Sequence, residues 1–150
     1  MNIFAKKMKN NHLINLINLL TNMDEIDQLL HNIYNKIDYY DTYQKIFELS
    51  LQQRNYIYEK VKDKQDADSY ILCAIKLLTR YPNDEDCSRA IELYHKAVGL
   101  NNEIAMERLG IIFYEGRYVA RNDNIAVELF KKAITAGVIN EKDRIIKEQV

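Results

Sequence analysis

The stretch EIAMERLGIIFYEGRYVARNDNIAVELFKKAITAG, Glu103 to Gly137, decides the fold. It holds two amphipathic patterns joined by a short loop. The first carries Ala105, Leu109, Ile112 and Phe113; the second carries Ala126, Leu129, Phe130, Ala133 and Ile134. Both follow the three-and-four spacing that gathers apolar side chains on one helical face. Gly116 stands where the first pattern stops, and glycine closes a helix by taking a positive φ. Asn122 precedes the second pattern, where its short polar side chain can accept from free backbone N–H groups. Gly137 ends it. The stretch therefore predicts one antiparallel helical hairpin with its boundaries written out.

The hairpin has a copy upstream. Ala90-Ile-Glu-Leu-Tyr-His-Lys-Ala-Val98 lies 36 residues before Ala126-Val-Glu-Leu-Phe-Lys-Lys-Ala-Ile134, and five of the nine residues are identical. One more step back sets Ile57-Tyr58-Glu59-Lys60-Val61 on Leu93 to Ala97. In the first helix, Leu109-Gly110 falls on Cys73-Ala74 and Phe113 on Leu77; one step forward, Leu109 maps to Ile145. A fixed step with one helix pair per step indicates an α-solenoid.

Leu109-Gly110, Phe113, Gly116, Val119, Ala126, Phe130, Lys132-Ala133 and Gly137 together resemble the consensus of the Sel-one-like repeat, a relative of the tetratricopeptide repeat. The resemblance runs from about Asp66 to the C-terminus. Tyr118 stands where the family has a second loop glycine, Asn122 replaces an Asp and Ile125 a Lys. In the upstream unit the glycines are missing around Arg80. The resemblance implies an all-α, right-handed solenoid of antiparallel helix pairs used for protein–protein contact, with no catalytic residue.

Composition agrees with that class. At 150 residues the chain can bury a real core, and a formal net charge of −1 offers nothing to attract nucleic acid or an anionic membrane. One proline and four glycines leave long stretches free to be helical. Cys73 and Cys87 make neither a disulfide framework nor a zinc site, which fits a reducing, cytoplasmic setting. The segment around Leu13, Leu16, Ile17 and Leu20 is interrupted by Asn15 and Asn18, so it reads neither as a signal peptide nor as a membrane span. It is expected to pack on the first solenoid unit.

Thr21 to Asp24 reads as a helix start. Ile26, Leu29, Leu30, Ile33 and Ile37 continue at helical spacing, Asp38 to Asp41 reads as a turn, and a helix from Tyr43 is expected to reach about Lys62. The charged run Lys62 to Asp68 divides residues 1–65, a helical segment with a degenerate repeat, from residues 66–150, the repeats with a capping helix at 140–150. Both belong to one continuous domain of about eight helices. Asp86 is expected to cap the helix that carries Ala90.

No catalytic or metal-binding constellation is present. His12, His31 and His95 are dispersed, and there is no phosphate-binding glycine loop or nucleophile elbow. No cofactor is implied. The expected function is a non-enzymatic adaptor that takes a peptide or helix of a partner protein in its concave groove. By the family resemblance, that groove is lined by Ile71, Ile75, Leu78, Glu107, Ile111, Tyr114 and Glu115. The alternative is a structural, self-associating subunit whose apolar groove is filled by another copy.

Overall fold

A computed structural model of the chain describes residues 3–137. Seven α-helices and no strand occur among these residues: α1 (Ile3–Tyr34), α2 (Tyr39–Phe47), α3 (Leu51–Val61), α4 (Ala67–Leu77), α5 (Asp84–Gly99), α6 (Glu103–Glu115) and α7 (Asp123–Thr135). Short polar residues set the starts. Ser50 with Gln53 and Asp66 with Ser69 form reciprocal capping boxes on α3 and α4. Asn83, Asn102 and Asn122 accept from the N–H groups of Asp86, Ala105 and Ile125. Gly116 closes α6 at φ +65, as the sequence requires.

From α3 onward each helix packs on the next, with the closest pairings between α4 and α5 and between α6 and α7. This is a helical solenoid. Its repeat register is carried by the second helices: Ala90, Tyr94 and Ala97 of α5 and Ala126, Phe130 and Ala133 of α7 are all buried, and Val61 of α3 takes the place of Ala97. Alanine at the seam lets neighbouring helices approach, while the ring between the alanines fills the space. In the first helices, a Cβ placed on Gly110 would stand 3.0 Å from the ring of Phe130. Gly110 therefore leaves room for the Phe130 ring between α6 and α7.

The two units differ at their turns. Measured in the repeat register, α4 ends two residues before α6, and α5 begins three residues before α7. The cause is the missing glycine. Gly116 takes a left-handed conformation, and a Cβ there would lie 2.8 Å from Arg121. Arg80 occupies the equivalent place, and L-residues with side chains avoid that region. So α4 stops earlier, at a Leu78 cap that is not left-handed. Its open carbonyls go to a distant side chain instead. Arg54 of α3 donates from Nη1 to the carbonyls of Ile75 (3.3 Å) and Leu78 (3.1 Å), and from Nη2 to that of Phe47 at the end of α2 (2.8 Å). A guanidinium at two helix C-termini meets both their unpaired acceptors and their dipoles.

The N-terminal half departs from expectation. No helix starts at Thr21; its hydroxyl donates back to the carbonyl of Ile17 (2.8 Å), and α1 runs on through it. Nor does the early part of α1 pack on the first unit: Leu13, Leu16, Ile17 and Leu20 are 42–60% exposed, and α1 joins the core only with Ile26, Leu30 and Ile33. The turn expected at Asp38–Asp41 falls three residues earlier, at 35–38, with Lys36 and Asp38 at positive φ, and Tyr39 opens α2. The single helix expected to reach Lys62 is broken at Ser50, because that residue caps α3. Asn83, not Asp86, caps α5. The capping helix expected at 140–150 lies outside the described residues.

Substituting Gly110→Leu should drive a branched side chain into the Phe130 ring and lower unfolding free energy by about 2–3 kcal/mol. Denaturant titration followed by circular dichroism checks it; unchanged stability would contradict the close approach of α6 and α7.

Candidate functional site

The first helices of the repeats, α4 and α6, present the face on which the groove residues were expected. Ile71, Ile75, Leu78, Glu107 and Ile111 are buried there, whereas Tyr114 and Glu115 are exposed. Side chains of α2 and α3 reach these helices, Arg54 of α3 at the carbonyls of Ile75 and Leu78 and α2 at α6. Arg108 of α6 stacks on the Phe47 ring at 3.8 Å, and the Tyr40 hydroxyl donates to Glu107 Oε1 (3.4 Å). Long side chains of α2 thus reach the first turn of α4 and the N-terminal half of α6.

One carboxylate fastens α2 in place. Asp68, in the first turn of α4, is buried. It accepts a short hydrogen bond from the hydroxyl of Tyr39, a second from that of Tyr43 (2.8 Å), and an ion pair from Lys36 Nζ (3.2 Å). Asn102, while capping α6 through Oδ1, donates from Nδ2 to the Tyr39 oxygen (2.8 Å). A continuous polar chain therefore joins α2, α4 and α6. Alongside it, Tyr34 of α1 donates to Asp66 Oδ1 (3.3 Å), the capping residue of α4.

What remains open is the loop end. Tyr114 lies beneath the guanidinium of Arg121 (5.1 Å) and Tyr118 beneath that of Arg117 (5.0 Å). Arg117 Nη2 also donates to the backbone carbonyl of Arg80 (3.2 Å), which ties the two repeat turns together. Arg80 in turn stacks on Tyr81, which is 84% exposed. Of the residues expected from the sequence, Tyr114 and Glu115 are exposed at this end; Arg80, Tyr81 and Arg117, also exposed here, were not among them. The signal available was the pair of tyrosine–arginine dipeptides at corresponding turns, Arg80-Tyr81 and Arg117-Tyr118. Periodicity places Tyr43, Ile46 and Phe47 in a helix but reads Tyr39 as part of a turn, and so does not anticipate the contacts that α2 makes with α4 and α6.

Among the described residues no group of His, Cys, Asp and Glu could hold a metal ion, and no helix is long and apolar enough to cross a membrane. Both cysteines are free; burial pushes the thiol of Cys73 above its ordinary range. Tyr56 and Tyr58 tie helices together: the Tyr56 hydroxyl donates to Asp27 of α1 (2.9 Å), and Lys76 of α4 covers the Tyr58 ring.

Tyr34, Tyr39 and Tyr43 all have hydroxyls pushed well above the usual phenol range, first by burial and then by the neighbouring carboxylates. The folded chain keeps these protons where the unfolded chain releases them. Stability is therefore intact below pH ~10, the ordinary tyrosine value, and falls above it. Helicity should be lost cooperatively on alkaline titration, together with the appearance of tyrosinate absorbance. Gradual ionisation of every tyrosine near pH ~10 with helicity retained would refute the buried network.

A scan of known families matches the Sel1 repeat at residues 83–102 and 104–138. The first match covers α5, and the second covers α6 and α7. No curated protein and no solved structure matches the chain. Sel1 repeats are generally non-catalytic modules for protein–protein contact. With helix pairs stacked in series and the glycine-closed α6–α7 hairpin inside the longer match, residues 83–138 are a Sel1-repeat segment of a helical solenoid.

Proposed function

We propose that the chain is a non-enzymatic adaptor that binds a partner protein at the loop end of its concave face. The observation that carries this lies at the ends of α4 and α6: Arg80, Tyr81 and Arg117 are exposed and joined by stacking and a hydrogen bond, and Tyr114 and Glu115 are exposed at the end of α6. Tyrosine and arginine are the residues most enriched where binding energy concentrates, because each offers a large, stiff contact surface with a polar end. The arginines are stacked on the rings and so partly ordered before a partner arrives, which lowers the entropic cost of binding. Two guanidinium groups suit a partner segment that offers carboxylates.

The deeper groove positions have a different role in this proposal. Ile71, Ile75, Leu78, Glu107 and Ile111 are buried within the chain itself, Glu107 against Tyr40 of α2, and only Tyr114 and Glu115 of the expected set meet the partner. The groove is thus divided between an occupant in cis and a partner in trans. No nucleic acid is part of the proposal, since single-strand binding needs a basic groove and the chain has a net charge of −1.

A photoactivatable amino acid placed at Tyr81 or Tyr114 should trap a protein partner in source cells, and Arg117→Glu in the same chain should remove the adduct. The control is Glu92, exposed on α5 on the other side of the repeat. Equal trapping at Glu92, or adducts insensitive to Arg117→Glu, would count against this surface.

A further inference from the structure

We infer that two copies of this chain pair antiparallel through the N-terminal part of α1, about a twofold axis between Leu16 and Ile17. The starting observation is an apolar stripe without cover. Leu13, Leu16, Ile17 and Leu20 are 42–60% exposed, although α1 is regular through all of them. Most helical stability in proteins comes from packing an apolar face rather than from propensity. Something else must therefore occupy that face.

The charge pattern identifies the occupant. At 100° per residue, Lys6, Lys9, the four apolar residues, Asp24 and Asp27 all fall within a stripe about 100° wide. The stripe is basic at one end, apolar in the middle and acidic at the other. Asn11, Asn15, Asn18 and Asn22 fall on the opposite face, polar and uncharged, and all four are exposed. Such a stripe is complementary to itself when reversed. With the axis between Leu16 and Ile17, Leu13 of one copy faces Leu20 of the other, and Leu16 faces Ile17. In the same register Lys9 faces Asp24 and Lys6 faces Asp27. Every pair occurs twice, which is the signature of an isologous interface. Asp27 already accepts from Tyr56 and pairs with Lys60 (3.0 Å), so Lys6 joins an existing network there, while Lys9 with Asp24 makes a new one.

The alternatives fit less well. A parallel pair would set Lys9 beside Lys9 and Asp24 beside Asp24, and like charges at facing positions repel. An anionic membrane would attract the lysine end but repel Asp24, Glu25 and Asp27. The pairing uses neither the α4–α6 face nor the loop-end cluster, so it stands apart from the adaptor proposal.

The test is sedimentation equilibrium on the full chain, with charge reversals that lie on the solvent side of α1 and leave the core untouched. The wild type should have twice the 17.7 kDa mass of the chain. Lys9→Glu and Asp24→Lys should each weaken the dimer about tenfold or more, because each sets two like-charged pairs in the interface. The double variant Lys9→Glu with Asp24→Lys exchanges the charges and should bring the dissociation constant back to within about threefold of wild type. Ile17→Asp should give a monomer with the helicity of α2 to α7 retained. A wild type that is monomeric at about 200 μM overturns the proposal, since no useful association would remain. So does a double variant no better than the singles, or a dimer indifferent to Ile17→Asp. A monomer that binds phosphatidylserine vesicles and loses them on Lys9→Glu would assign the stripe to a membrane instead.

Discussion

The burial of the Asp68 carboxylate is the constraint on which this arrangement rests. A carboxylate removed from water is costly unless its oxygens are filled. Here they are filled from outside the repeats, by Tyr39 and Tyr43 of α2 and by Lys36 just before it. The first turn of α4 therefore cannot be satisfied by its own solenoid. It needs α2 to be present, and α2 in turn reaches α6 through Tyr39 and Asn102. Many helical-repeat and groove-bearing proteins bind an amphipathic helix as a separate ligand. In this chain the same kind of contact is made within one polypeptide, with hydroxyls, a stacked guanidinium and the ring of Phe47 at the interface.

The second half of the molecule was legible because its signals are local. Gly116 and Asn122 act within a few residues of themselves, and Ala126, Phe130 and Ala133 declare a face by spacing alone. The first half was not, for two physical reasons. Thr21 looks like a cap, but a threonine hydroxyl can also bond the carbonyl four residues back, and in α1 it does so without stopping the helix. The tyrosines after Asp38 look like a turn because two aspartates flank them. In the fold their hydroxyls bond Asp68, about thirty residues away in sequence, a contact that no window can see.

The site divided along the same line. That residues such as Ile71 and Ile111 face one side of their helices follows from periodicity. Whether that side meets solvent depends on what the rest of the chain lays over it, and α2 and α3, whose side chains reach α4 and α6, carry no glycine or proline to mark them. Tyr114 and Glu115 lie beyond the reach of α2 and remain accessible. The arginine that clamps two helix ends, Arg54, was invisible for a related reason: it serves carbonyls left open by a glycine that the upstream unit lacks.

That missing glycine has a wider consequence. Between the two units the turn has slid along the chain by two to three residues, yet the buried faces of α5 and α7 stay in phase and both helices end at the same register position. A slide of nearly one helical turn returns the helix start to almost the same side of the cylinder. Length can therefore drift at the exposed turn while the packed seam keeps its step. The Arg80-Tyr81 and Arg117-Tyr118 pairs sit in these turns, where the two units differ in length. A stack of this kind can acquire new recognition properties at its rim without renegotiating how its layers nest.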